Sequence, residues 1–122
     1  METESLLHGD CLIVRVRGEL DHHQADQFRQ TVDQGLDDQR VNRLVLNLEG
    51  LSFMDSSGIG LILGRFKRVQ QKQGQMAICG VTEAVSKVLE ISGVPRVIPF
   101  MRNEKEALQK TARGINPKRR MR

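Results

Sequence analysis

A short aliphatic run near the middle of the chain, Arg43–Leu48, constrains the fold most strongly. Aliphatic and β-branched residues in such a run are typical of a central strand that is covered on both faces. Apolar residues recur at helical spacing just before it, and they predict a helix that buries Ala25, Phe28, Val32 and Leu36. A helix that leads into a buried strand is the usual arrangement in domains built on a parallel sheet.

The other patterns continue this alternation of strands and helices. Two strands, 5–8 and 11–17, are separated by Gly9-Asp10, which favours an antiparallel hairpin. Right-handed crossovers then predict a single α/β domain with a mixed, mostly parallel sheet of four to five strands, an antiparallel hairpin at one edge and about four helices. The remaining predicted elements are helices over 56–73, 83–91 and 103–112 and strands over 75–79 and 97–100.

Single residues mark the ends of these elements. Asp21 and Thr82 are predicted N-caps, because their side-chain oxygens can accept from the first free N–H groups of a helix. Gly74 is predicted to end the long second helix at the left-handed position that favours glycine. Pro99 places the last strand at an edge of the sheet, since proline has no N–H to donate. The segment 49–55 is a predicted loop. Segments 18–23 and 51–58 are the predicted ligand-binding loops, because ligands bind beyond the carboxyl ends of the strands in open α/β sheets.

The net charge of +4 arises at the C-terminus. Residues 113–122 hold five basic side chains and no acidic one, which leaves 14 basic against 15 acidic residues in the rest of the chain. The chain has no Trp or Tyr, so aromatic rings that would stack on bases are scarce. We therefore expect a domain over 1–112, a disordered basic tail over 113–122, and no direct contact with nucleic acid.

The two cysteines and the length of the apolar runs indicate the cellular location of the protein. Cys11 and Cys79 lie in separate apolar runs with no second ligand at metal-binding spacing, so they are expected to be reduced core thiols. We expect no metal site and no cofactor. No apolar run approaches the roughly 20 residues that span a bilayer, and the N-terminus is acidic, so we expect a cytoplasmic protein without membrane contact.

The run Asp55-Ser56-Ser57-Gly58 is the strongest candidate site. It is predicted to open a helix, where free N–H groups and the helix dipole favour an anion, so a phosphoryl group on Ser57 is compatible with the fold. Gly58 and Gly60 weaken the first turn, which makes sense where another surface approaches the backbone. The residue types alone favour Ser56 or Ser57 as a plain helix cap, with Asp55 as a further capping candidate.

A small serine hydrolase is the alternative from another class of protein. Ser57 would be the nucleophile, and His22 or His23 would supply the base. The run differs from the G-x-S-x-G motif, because Asp55 stands where the first glycine belongs. Gly58-Ile-Gly60 also lacks the third glycine of a dinucleotide loop and the lysine of a phosphate-binding loop. We therefore expect a binding protein and not an enzyme.

Three segments resemble the STAS domain of anti-sigma factor antagonists. They are Gly18–His23, Leu44–Glu49 and above all Leu51–Gly60. The resemblance covers about residues 5–112 and is nearest to the sporulation members, which act on the anti-sigma F factor. The alternative interpretations are a stress-response member, a STAS domain of an anion transporter, and a generic STAS interaction module of another pathway. The tail over 116–122 has no counterpart in the pattern.

The resemblance implies a switch at Ser57. In the family the second serine of this motif is phosphorylated by the anti-sigma factor, which is itself a serine kinase with a bound nucleotide. The unphosphorylated antagonist binds this kinase and frees the sigma factor, phosphorylation ends the binding, and a PP2C-type phosphatase resets the cycle. The partner-binding residues that we expect on this chain are Asp21, His22, His23, Asp55, Ser56, Ser57, Gly58 and Gly60.

Overall fold

The computed structural model describes residues 1–114. The predicted basic tail, 113–122, lies outside the described residues apart from the last two residues of the final helix, and the domain boundary at 112 stays a prediction. The described part has five strands and four α-helices. Their bounds are β1 Glu2–His8, β2 Cys11–Leu20, α1 Ala25–Leu36, β3 Arg43–Met54, α2 Ser56–Gln71, β4 Gln75–Cys79, α3 Glu83–Ile91, β5 Phe100–Met101 and α4 Glu104–Gly114.

The strands form one sheet in the order β1-β2-β3-β4-β5. β1 and β2 are antiparallel and joined by the turn at Gly9-Asp10, whereas all other neighbours are parallel. β3 lies in the centre, with Leu44 paired to Leu12 of β2 and to Met76 of β4. The predicted α/β class, the edge hairpin and the covered central strand are therefore confirmed.

The larger part of the core lies between the sheet and the helices α1, α2 and α3. In α1 the predicted residues Phe28, Val32 and Leu36 are fully buried, and Ala25 packs at the margin of the same cluster. Burial of each large side chain contributes about 1.5–3 kcal/mol. Because these contacts follow directly from helical spacing, the helix could be predicted from the sequence.

Within residues 1–114, α4 is the helix that covers the opposite face of the sheet. Ala107 of α4 packs there with the fully buried thiols of Cys11 and Cys79. Both cysteines are free and buried, as predicted. Arg43 holds the C-terminal half of α4 against the sheet, since its guanidinium donates to Asp10 Oδ1 at 2.7 Å and to the carbonyl of Leu108 at 3.0 Å.

We expect both thiols of the folded protein to resist a thiol-specific disulfide reagent at pH 8 and to react only when the protein opens. Burial raises the pKa of Cys11 to about 11 and that of Cys79 to about 12, so little reactive thiolate is present. Above about pH 9 the unfolded thiols lose protons that the folded ones keep, so the free energy of unfolding should fall as pH rises.

Reaction rates over a series of denaturant concentrations, together with denaturant unfolding at pH 8 and pH 10, would measure both effects. Variants with alanine in place of Cys11 or Cys79 are the controls for the pH dependence. Fast labelling of the native protein at pH 8 would contradict the prediction.

Two predicted N-caps have other roles. α1 begins at Ala25 after Gln24, whose side chain makes no capping hydrogen bond, so the prediction of Asp21 as the cap is wrong. A tight turn over 21–24 intervenes, and Asp21 stabilises that turn instead. Thr82 stands at the N-cap position of α3 as predicted, but its hydroxyl donates to the carbonyl of Leu51 at 3.3 Å. It thus joins α3 to the end of β3.

The end of α2 also differs from the prediction. α2 ends at Gln71, and the left-handed conformation belongs to Gln73, with φ +59°, while Gly74 has no positive φ. Gly74 is required for another reason, because a Cβ built there would lie 1.6 Å from the carbonyl oxygen of Asn42. Glycine lets the start of β4 pass directly beside the start of β3.

The last strand is shorter and later than predicted. Val94–Arg96 form a 3-10 helix that accommodates Pro95 at its start, and β5 comprises only Phe100 and Met101. Pro99 precedes the strand, and its carbonyl accepts from the N–H of Ile78 at 2.9 Å. β5 is nevertheless an edge strand, as the proline indicated.

Candidate functional site

The carboxyl ends of β2 and β3 build the site. β3 continues to Met54 and β2 to Leu20, so the loop predicted over 49–55 is wrong and the loop predicted over 18–23 begins only after Leu20. The N–H of Asp55 still donates to the carbonyl of Leu20 at 3.2 Å. This pairing brings the β2–α1 connection next to the first turn of α2.

Two bulges in β3 explain why its end does not look like a strand in the sequence. The partners of Arg15 and Arg17 are Asn47 and Gly50, and those of Gly18 and Glu19 are Leu51 and Phe53. In each interval β3 contains one residue more than β2. Extra residues of this kind break the period of two and change the direction of the side chains that follow.

The second bulge leaves Ser52 as the extra residue of β3. The hydroxyl of Ser52 donates to the carbonyl of Gly18 at 3.0 Å. Leu51 and Met54 are both buried although they are three residues apart, and Phe53 is left 47% exposed. A bulge at this position thus fits the end of β3 to the core and presents an aromatic ring to solvent.

Asp55 is the N-cap of α2. Its backbone is extended, and its Oδ1 accepts from the N–H of Ser57 at 2.9 Å and from the hydroxyl of Ser57 at 2.5 Å. The hydrogen bond from the Ser57 hydroxyl is the main cause that lowers the pKa of Asp55. The carboxylate therefore stays ionised beside the half-buried Ser57, and the predicted capping function belongs to Asp55 and not to Ser56 or Ser57.

The other oxygen of Asp55 binds the β2–α1 connection. Oδ2 accepts from the N–H of His22 at 3.1 Å and lies 3.7 Å from Nδ1 of the same residue. The rings of His22 and His23 are exposed, with their centroids 4.0 Å apart. Asp55 therefore connects Ser57 to His22 although these two residues are far apart in the sequence.

Asp21 acts within its own turn. Its Oδ1 accepts from the N–H groups of His23 at 3.0 Å and Gln24 at 3.2 Å. The side chain is half-buried and makes no hydrogen bond to Ser57 in the described residues. Asp21 thus holds the pair of histidines in place beside Asp55.

The first turn of α2 has fewer free amides than the sequence suggested. The N–H of Ser57 is bound by the side chain of Asp55, and that of Gly58 donates to the carbonyl of Asp55 at 3.0 Å. Neither amide is free in the unphosphorylated state, and the expectation that they would receive a phosphoryl group stays a prediction. A phosphate on Ser57 would have to compete with Asp55 for them.

The two glycines of the motif have different surroundings. Gly58 is buried, and a Cβ there would lie 2.5 Å from Cγ of Met54, so internal packing explains it. Gly60 is exposed, has no neighbour within 4 Å of a built Cβ, and has no positive φ. Neither packing nor backbone conformation within the described chain requires a glycine at position 60.

Phe53 is a candidate interface residue that was not predicted from the sequence. It lies two residues before Asp55, at the same end of the sheet as Ser57, and nearly half of the residue is exposed. Exposed aromatic rings are frequent at the centres of protein interfaces. The signal in the sequence was a large apolar residue inside a segment interpreted as a loop, but without the bulge its exposure could not be inferred.

The geometry does not match a serine hydrolase. In a Ser-His-Asp triad the imidazole lies between the serine and the carboxylate, so that it can remove the hydroxyl proton. In the described residues the carboxylate of Asp55 lies between Ser57 and His22. The arrangement suits a serine that is held in position at a helix start.

Within residues 1–114 no cluster of three or more His, Cys, Asp or Glu side chains has the geometry of a metal site. None of the helices in that range has the length and apolar character needed to cross a membrane.

Comparison with known proteins agrees with this architecture. The family model for the STAS domain matches residues 3–107. The anti-sigma F factor antagonist of Paenibacillus polymyxa is 44% identical over 108 residues, which are 88% of this chain and 92% of that protein.

Two solved structures of the antagonist SpoIIAA superpose on nearly the whole chain. The unphosphorylated form of this anti-sigma factor antagonist has 32% identity and a TM-score of 0.79, over 93% of this chain and 97% of that one. The phosphorylated form of the Bacillus cell fate determinant SpoIIAA has 30% identity and a TM-score of 0.70, over 89% and 98% respectively. The chain therefore belongs to the STAS domain family, and its relatives in that family include anti-sigma F factor antagonists.

Proposed function

We propose that this chain is a cytoplasmic anti-sigma factor antagonist whose binding is switched at Ser57. The unphosphorylated protein binds an anti-sigma factor that is a serine kinase with bound nucleotide, and the sigma factor is thereby freed. Phosphorylation of Ser57 ends the binding, and a PP2C-type phosphatase removes the phosphoryl group. The proposed partner-binding residues are Asp21, His22, His23, Asp55, Ser56, Ser57, Gly58 and Gly60, to which we add Phe53.

The contact between Ser57 and Asp55 is the observation that carries this proposal. The hydroxyl of Ser57 stands at the start of a 16-residue helix, half-buried, and within 2.5 Å of an ionised carboxylate. A kinase can reach it without unfolding the domain, because the site lies at the open end of the sheet. The existence of the similar protein SpoIIAA in unphosphorylated and phosphorylated forms supports a phosphorylation switch in this chain.

Phosphorylation would change the charge of this surface strongly. The ester oxygen of Ser57 can no longer donate to Asp55, so a hydrogen bond becomes a contact between like charges. The added group carries about −1.5 to −2 charges at neutral pH and must lose water when a partner covers it. The phosphate is tolerated by the free protein, which is exposed to solvent there, and is rejected when a partner binds.

Incubation with ATP and a cognate anti-sigma kinase, followed by mass spectrometry of peptides, tests the proposal. One phosphoryl group on the peptide that contains Ser57 is the expected result. A phosphoryl group on Ser52 or Ser56 would show that the acceptor is misassigned. Hydrolysis of an ester substrate that is lost in Ser57→Ala would support the enzyme alternative instead.

Replacement of Gly60 by alanine separates stability from binding. An exposed alanine in place of a glycine stabilises a helix by about 0.5–1 kcal/mol. Since the exposed position lies one turn after Ser56, the new methyl group should also hinder a partner that contacts the backbone. We expect a higher unfolding midpoint and a weaker complex, measured by denaturant unfolding and by calorimetry.

Gly64→Ala is the matched control, because Gly64 also has no neighbour within 4 Å of a built Cβ and lies one turn farther from Ser57. It should raise stability by a similar amount and leave binding unchanged. Unchanged binding in Gly60→Ala would remove Gly60 from the proposed interface.

A further inference from the structure

β1 is a long strand, and its outer edge has no partner in the described chain. β1 has seven residues, Glu2–His8, and it is the first strand of the sheet, so β2 occupies only one of its two edges. Its pairing with β2 runs from Glu2 to His8 without a register shift, and the strand contains no proline. Proline and bulges are among the devices by which proteins prevent such edges from pairing.

The turn determines which N–H groups of β1 point outward. Gly9 has φ +62° and Asp10 has no positive φ, which is the pattern of a two-residue type II′ hairpin. In such a hairpin His8 and Cys11 exchange hydrogen bonds, so the N–H and C=O groups of His8 face β2. Because these directions alternate along a strand, the groups that face the free edge belong to Thr3, Ser5 and Leu7.

The side chains of β1 suit an antiparallel copy of the same strand. A two-fold axis at Ser5 places Glu2 opposite His8 of the second copy, Thr3 opposite Leu7, and Ser5 opposite itself. The outward-facing residues then pair only with outward-facing residues, as an antiparallel ladder requires. Leu7, which is 50% exposed in the single chain, would be covered by the second copy.

Charge selects this register over its neighbours. An axis at Thr3 would place Glu2 opposite Glu4 of the second copy, and an axis at Glu4 would place Glu4 opposite itself. An axis at Leu6 would pair only residues 4–8 of the two strands and leave Glu2 and Thr3 without a partner inside β1. Like charges directly opposite each other destabilise a sheet, whereas the axis at Ser5 pairs each glutamate with a histidine or an apolar residue.

We propose that two copies of this chain associate through their β1 strands, antiparallel and centred on Ser5, so that their sheets become continuous. The free edge of β1 runs along the hairpin and is a different surface from the end of the sheet that carries Ser57. The inference goes beyond the proposed function, and it can be tested with no kinase present. A two-fold axis that pairs the same edge of both copies uses up both edges, so the assembly stops at a dimer.

Sedimentation and amide exchange of the full chain test this proposal together. The mean mass should rise with concentration from 13.8 kDa towards twice that value. In the same samples the amides of Thr3, Ser5 and Leu7 should become protected only at high concentration, while those of Glu4 and Leu6 should be protected throughout. A constant mass, or a dimer in which the outward amides still exchange freely, would overturn the proposal.

Variants of the edge make the test specific. Ser5→Pro removes an outward N–H that β2 does not use and should abolish the increase in mass, whereas Ser5→Thr should preserve it. Leu7→Lys is the second variant, in case the proline disturbs the hairpin, and it should also keep the protein monomeric. A folded Leu7→Lys that still dimerises would place the interface elsewhere.

A charge exchange tests the register. Glu2→Lys places a lysine opposite His8 of the second copy and should weaken the dimer. Adding His8→Glu should restore it, because the opposite charges are again paired across the axis. Equal dimerisation of Glu2→Lys and the parent protein would overturn the register centred on Ser5.

Discussion

Replacement of Ser57 by aspartate is expected to lower the affinity for the anti-sigma partner by about two to four orders of magnitude. The carboxylate of Asp55 already lies beside this position, so a second acid brings like charges together in a surface that must lose water on binding. The free protein exposes the site, so its circular dichroism spectrum should remain that of the parent. Isothermal titration calorimetry with the partner measures the affinity.

Ser57→Ala is the matched control for this experiment. It removes the hydroxyl bond to Asp55 but keeps the N–H of residue 57, which Asp55 still caps. We expect it to bind the partner and to accept no phosphoryl group from ATP. Retained label on Ser57→Ala would mean that another residue is the acceptor, and a melted spectrum for Ser57→Asp would refute the explanation by surface charge.

Of the substitutions proposed for this chain, Gly74→Ala is expected to lower the free energy of unfolding most, by about 3 kcal/mol or more. A Cβ at this position would overlap the carbonyl oxygen of Asn42, which is backbone and accepts from the N–H of Gln75 at 3.2 Å. The start of β4 would have to move away from the start of β3. The midpoint of thermal unfolding should fall by roughly 10 °C for a domain of this size.

Gln73→Gly is the informative control, since Gln73 and not Gly74 has the left-handed conformation. Glycine at position 73 should stabilise the protein or leave it unchanged, because glycine adopts positive φ without strain. The opposite pair of results, a stable Gly74→Ala and an unstable Gln73→Gly, would restore the prediction that Gly74 ends the helix.

The elements of the fold could be predicted because they depend on neighbouring residues. Phe28, Val32 and Leu36 lie on one face of α1 at helical spacing, and all three are buried. Gly9-Asp10 specifies a tight turn by its own conformational preferences, and the hairpin is present. Both signals lie within a few residues of the structure that they determine.

The details of the site could be predicted only in part. The start of a helix near Ser57 could be predicted from the sequence, whereas the capping residue could not be chosen among Asp55, Ser56 and Ser57. The bond from Asp55 to the N–H of His22 depends on the alignment of β2 with β3. No local pattern of residues specifies this alignment.

The sequence by itself determined the α/β class, the hairpin, the helix faces and the place of Ser57 at the start of α2, because periodicity and turn preferences act over a few residues. Only the tertiary structure decided the two bulges of β3, the exposure of Phe53, the contact between Asp55 and His22, and the close approach that requires Gly74. These features arise where segments distant in sequence meet. Their geometry is set by strand register and by packing space, which neither segment specifies alone.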